Sequence, residues 1–128
     1  MKKGFTLIEL LAVIIILAIV ALIATPIVLD VVDDAKDSAA KSEASMIVSG
    51  VNNWCAASAM RAQLNGEADI CTDADGVTAT EVSQMVDLGN ATVTSITFDG
   101  KVTALEIESN DRTVKYDATA TDKYEVTK

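Results

Sequence analysis

Hydrophobic and polar positions divide the chain into three regimes. From Leu10 to Leu29 only Thr25 and Pro26 interrupt an aliphatic run. About 20 apolar residues rising ~1.5 Å each match a hydrocarbon core of roughly 30 Å, so this stretch reads as a membrane-spanning helix. Aliphatic side chains fill it all round, as a lipid-facing or bundle-buried helix requires. Pro26 lies inside it, and proline removes one helical hydrogen bond and crowds the carbonyl four residues back. A kink or short melted stretch over Leu22 to Pro26 is predicted. Beyond Asp30 the pattern becomes amphipathic: Ile47, Val51, Trp54, Cys55, Ser58 and Ala62 recur at three- and four-residue steps. Lys41, Glu43, Asn53 and Arg61 fall elsewhere, so one stripe of this second half has something to cover. The helix is expected from Phe5 to about Leu64, with Gly66 as a left-handed cap.

The third regime has period two. Glu67 to Val77 reads as a loop. Thr78-Ala79-Thr80-Glu81 fits a capping box opening a short helix (Val82, Met85, Val86) that Gly89 ends. Strand-like runs follow at Ala91 to Phe98, Val102 to Glu108 and Thr113 to Asp117, with a short edge strand over Lys123 to Lys128. In the first run Val93, Ser95 and Thr97 alternate with Thr94, Ile96 and Phe98; in the second, Val102, Ala104 and Glu106 alternate with Leu105 and Ile107. Asp99-Gly100 is a two-residue hairpin signal and Asn110-Asp111 a second turn. The expected fold is α+β: a long N-terminal helix packed on a small C-terminal antiparallel sheet of 3–4 strands. So small a sheet needs the helix stripe and a covalent staple to be stable.

Charge changes the picture at one point above all. Glu9 is the one carboxylate before Asp30. A charged residue at the centre of a spanning helix costs roughly 2.5–3.5 kcal/mol on insertion scales, which makes an acid in such a segment a functional candidate. The apolar run also exceeds the roughly 7–15 residues of a cleaved secretory signal, and an interior glutamate does not fit one. The chain of 128 residues carries net −9 and has no histidine, and it is two units more negative without Lys2 and Lys3. An acidic body argues against a generic nucleic-acid patch and suits a solvated exterior.

Cys55 and Cys71 stand sixteen positions apart in a chain whose head looks exported, which favours one disulfide over two free buried thiols. With no histidine and no third cysteine, a four-ligand metal centre is not indicated. Asp73-Ala74-Asp75-Gly76 opens like a calcium loop but lacks the glycine at the sixth position and the glutamate at the twelfth, leaving Asp73 and Asp75 as weak metal candidates. No cofactor motif or catalytic constellation is present, and the chain is not read as an enzyme. Asn90-Ala91-Thr92 is an acceptor pattern for glycosylation.

The run Gly4-Phe5-Thr6-Leu7-Ile8-Glu9-Leu10, after a basic leader and before a long apolar helix containing Pro26, resembles the type IV pilin signature. The resemblance covers about residues 1 to 30 at motif level and extends in architecture to the whole pilin fold. It implies a leader at 1–4, a hydrophobic assembly segment at 5–29 and a head at 30–128. The head would comprise a half-helix at 30–64, a loop region at 65–90 and a sheet at 91–128. It implies cleavage of Gly4–Phe5 by a prepilin peptidase, N-methylation of Phe5, and assembly roles for Glu9 and Pro26. The implied partners are other copies of the chain in a helical homopolymer, the peptidase/methyltransferase, an assembly platform and minor pilins. The implied location is the cytoplasmic membrane for the prepilin and the cell surface for the filament.

Pilins of many Gram-negative systems close a disulfide near the C-terminus. This chain has none there, since Cys71 precedes the sheet, so an adhesive role borrowed from that loop does not transfer. Two alternatives stay within the family: a secretion pseudopilin and a competence pilin for DNA uptake. A third, of another class, is a single-pass membrane protein whose head binds a ligand without polymerising.

Overall fold

The computed structural model describes residues 4–66, 71 and 77–128. Its elements are α1 (Leu7–Asn65), α2 (Ala79–Met85), β1 (Thr92–Phe98), β2 (Val102–Ser109), β3 (Arg112–Asp117) and β4 (Tyr124–Thr127). The strands form one antiparallel sheet in the order β1-β2-β3-β4. A long helix packed on a small antiparallel sheet is the expected architecture. Contacts divide the chain into two units, up to Ala35 and from Lys36 onward.

In the first unit α1 runs through Pro26 without a break, so the expected melted stretch is absent. The carbonyl that Pro26 deprives of its helical donor is that of Leu22, four residues back. Beside it the Thr25 hydroxyl donates to the Ala21 carbonyl at 2.7 Å, a back-bond of the kind serine and threonine make within helices. Helical geometry begins at Leu7, two residues later than the pattern suggested.

In the second unit α1 buries Ala40, Ala44, Ile47, Val48, Val51, Cys55 and Ser58. The predicted stripe is present and extends toward the N-terminus through two alanines, whose small side chains let other elements lie close. Trp54 packs against the core while half-buried, and Ala62 is also half-buried. Gly66, at φ +71°, closes the helix as predicted, its N–H bonded to the Ala62 carbonyl at 2.9 Å. At Gly50 a Cβ atom would sit 2.9 and 3.0 Å from the two Val86 methyls, so glycine permits this approach.

The sheet departs from strict alternation at two places. Val93 pairs with Ile107 and Ser95 with Glu106, leaving Thr94 as an extra residue in β1. Thr97 pairs with Ala104 and Phe98 with Val102, leaving Thr103 as an extra residue in β2. Each bulge flips the side-chain phase of its strand. Val93, Ile96 and Phe98 therefore share the core face with Ile107, Leu105 and Val102, against the predicted separation of Val93 from Ile96 and of Val102 from Leu105. The Asn52 side chain of α1 accepts a hydrogen bond from the Val102 N–H at 2.8 Å and steadies the strand beside its bulge.

The β1–β2 connection lies between the predicted strand ends Phe98 and Val102, one residue longer than the two-residue hairpin that Asp99-Gly100 signals. Asp99, Gly100 and Lys101 form it, with Gly100 at φ +68°. The β2–β3 turn is the expected two-residue Asn110-Asp111, both at positive φ (53° and 61°), the pattern of a type I′ turn. β4 is present as the predicted edge strand, with Tyr124 beside Tyr116 at a ring-centroid distance of 5.0 Å. The α2 helix opens on its capping box but ends at Met85, with Val86 extended. Gly89, at φ +56°, instead turns the chain into β1, where the Ala91 N–H reaches the Leu88 carbonyl.

Candidate processing and assembly site

Gly4, Phe5 and Thr6 precede α1 and are not helical. The first helical hydrogen bond runs from the Leu10 N–H to the Thr6 carbonyl at 3.2 Å, so the Gly4–Phe5 peptide lies outside the helical ladder. Thr6 occupies the capping position. Its backbone N–H and hydroxyl both donate to Glu9 Oε2, at 2.9 and 2.8 Å, while the Glu9 N–H donates to Thr6 Oγ1 at 3.3 Å. This is a capping box, which satisfies donors that a helix start leaves orphaned. Glu9 Oε1 accepts no hydrogen bond among the described residues.

The same box recurs in the head. Thr78 N–H and Oγ1–H each donate to Glu81 Oε2 at 2.8 Å, and the Glu81 N–H returns to Thr78 Oγ1 at 3.4 Å. There the Thr78 backbone and hydroxyl donors hold the Glu81 carboxyl below its ordinary range.

Every described side chain from Gly4 to Val32 is exposed, including Phe5 at 90% and Leu7 at 84%. An apolar surface of this extent is stable only when lipid or other protein covers it. The helix is long and apolar enough to cross a membrane. Glu9 sits in its first turn and Pro26 in the same uncovered segment. The structure thus brings Gly4, Phe5, Thr6 and Glu9 together at one end of the helix.

The other predicted residues lie apart. Cys55 and Cys71 form a disulfide with a Cα–Cα distance of 5.6 Å, fastening the connection after α1 to the helix. Asp73 and Asp75 lie outside the described residues, and among those described no group of three acidic, histidine or cysteine side chains could hold a metal.

Two features escaped the sequence reading. The first is Thr6 as the partner of Glu9, at the same Thr-x-x-Glu spacing as Thr78 and Glu81. The second is a polar clasp between α1 and the β2–β3 turn. In it the Arg112 guanidinium meets Asp37 at 2.6 Å, Ser109 bonds Glu43, and Asn110 donates to Ser109. Its partners lie 75 and 66 positions apart, and no local pattern announces them.

Compared with known proteins, residues 1–25 match the family model of the prokaryotic N-terminal methylation motif. No curated protein and no solved structure matches the chain. The motif implies processing by a prepilin peptidase, and together with the apolar helix it indicates membrane insertion.

Proposed function

Because the chain carries the N-terminal signal of type IV pilin-like prepilins, we propose that it is a structural subunit that polymerises into a surface filament after processing. The observation that carries this reading is the methylation motif over residues 1–25 continuing into a helix whose apolar N-terminal segment, through Val32, is wholly exposed. Hydrolysis of the Gly4–Phe5 peptide on the cytoplasmic side adds water across the bond and leaves a free amine on Phe5, which is then N-methylated. Lys2 and Lys3 depart with the leader.

In the proposed filament the segment 5–29 of each copy packs in a central bundle and the acidic heads form the wall. Van der Waals contacts between aliphatic helices act collectively over many copies. Glu9 sets axial register by pairing with the Phe5 amine of a neighbouring copy. Either charge alone is costly in a low-dielectric bundle, whereas the pair attracts strongly at close range. The prepilin resides in the cytoplasmic membrane, and the assembly platform and minor pilins are its further partners.

Mass spectrometry of the chain purified from membranes and from sheared surface fractions tests the reading. A mature N-terminus at methylated Phe5, abundant in the sheared fraction, is the expected result. An intact Gly4–Phe5 bond would refute it in favour of a single-pass membrane protein. A processed chain confined to the membrane would favour a secretion pseudopilin.

A further inference from the structure

We propose that Thr6 is the positioning residue for the Glu9 carboxylate, holding it by Oε2 and leaving Oε1 for the amine of a second copy. The inference rests on the reading of Glu9 as half of an intersubunit pair, and it concerns how that half is prepared. Two donors from one residue converge on a single carboxylate oxygen: the Thr6 N–H at 2.9 Å and the Thr6 hydroxyl at 2.8 Å. The hydroxyl is oriented in turn by accepting the Glu9 N–H. Hydrogen bonds to an ionised acceptor are among the stronger ones, and in lipid no water competes for the donors.

Two consequences follow for a carboxylate near a bilayer. The precursor helix can keep Glu9 partly satisfied before any neighbour arrives, so the membrane pool need not assemble prematurely to shelter it. The box also freezes a flexible side chain over the first turn, with one oxygen held on Thr6. Pre-ordering one partner lowers the cost of forming a pair. The Thr78–Glu81 box shows that this spacing closes in the same way in the head, so the contact belongs to the Thr-x-x-Glu unit itself.

Four variants in the full-length chain test the inference: Thr6→Ser, Thr6→Val, Glu9→Gln, and Thr6→Val combined with Glu9→Gln. Fibre yield is read by immunoblot of sheared fractions, and cleavage at Gly4–Phe5 by mass. Serine keeps both hydroxyl roles, so Thr6→Ser should assemble within about twofold of wild type. Valine keeps the shape and removes the hydroxyl. One hydrogen bond to a charged group corresponds to roughly tenfold in an equilibrium, so Thr6→Val should lose about that much fibre. Cleavage should continue in both.

Glutamine at position 9 retains a capping box but no charge. A purely helix-capping threonine would therefore still matter in the Glu9→Gln background, whereas one acting through the charge would not. Further loss in the double variant overturns the proposal. So does normal assembly of Thr6→Val beside a defective Glu9→Gln, or failure of Thr6→Val to be cleaved. Normal assembly of Glu9→Gln would instead overturn the charged pair on which the proposal rests.

Discussion

Replacing Asp37 by alanine should destabilise the head more than any surface ion-pair deletion. The Arg112 side chain is 7% exposed and its Nε lies 2.6 Å from Asp37 Oδ1, while Asp37 itself is 37% exposed. Removing one partner of a fully buried pair costs roughly 3–5 kcal/mol, because the other charge is left in a poor environment. Asp37 is more than a third exposed, so water screens the pair and can partly replace the carboxylate. Arg112 also keeps its bond to the Asp111 carbonyl at 3.3 Å. About 2 kcal/mol is the resulting figure. For a head of this size that corresponds to a fall in Tm of roughly 10 °C.

Trp54, the single tryptophan, packs against the core and reports head unfolding by fluorescence in detergent micelles while the apolar helix stays intact. Two controls sharpen the test. Arg112→Met removes the buried charge itself and should cost less than Asp37→Ala. Glu106→Ala breaks a 3.8 Å pair with Lys115 whose members are 34% and 56% exposed, and should change Tm by less than about 3 °C. The reasoning fails if Asp37→Ala behaves like Glu106→Ala.

Further expectations concern single positions in the head. Gly50→Ala gains roughly 1 kcal/mol of helix propensity but drives a Cβ into the stiff Val86 side chain, where overpacking costs about 1–3 kcal/mol. A net loss of Tm that Val86→Ala relieves is the signature. Asp111→Gly should raise Tm slightly, because Asp111 sits at φ +61° in a turn that favours Asn-Gly. Stability should also fall in acid through Glu81. Its folded carboxyl is held below the ordinary range, so its contribution is fully present above the unfolded value of about 4.3 and disappears as pH falls through the folded one. A Glu81→Gln variant should show a flatter stability profile below pH ~4 in the same fluorescence assay.

What could be read from residues alone follows the range over which each signal acts. The Thr78–Glu81 box, the Gly66 cap and the Asn110-Asp111 turn are set within four residues, and the structure has all of them. The two bulges are different, because strict alternation is the default that any single strand suggests. Val93 with Ile96 and Phe98, and Val102 with Leu105 and Ile107, break that default in opposite strands. Read as a pair, they show one extra residue in each strand, which a meander needs if all six are to face one core. The clasp of Asp37 with Arg112 joins residues 75 positions apart and could be found only once the sheet was laid on the helix.

The Thr6–Glu9 contact belongs to neither case. Its spacing is as local as that of Thr78 and Glu81, but it opens an apolar run instead of a solvated helix. In water a Thr-x-x-Glu box is worth about the modest amount of a helix cap. In a membrane segment the same four residues also decide where a costly carboxylate is held. A local motif should therefore be weighed by the solvent around it: Thr78 organises a short helix, while Thr6 prepares the charge on which the proposed assembly turns.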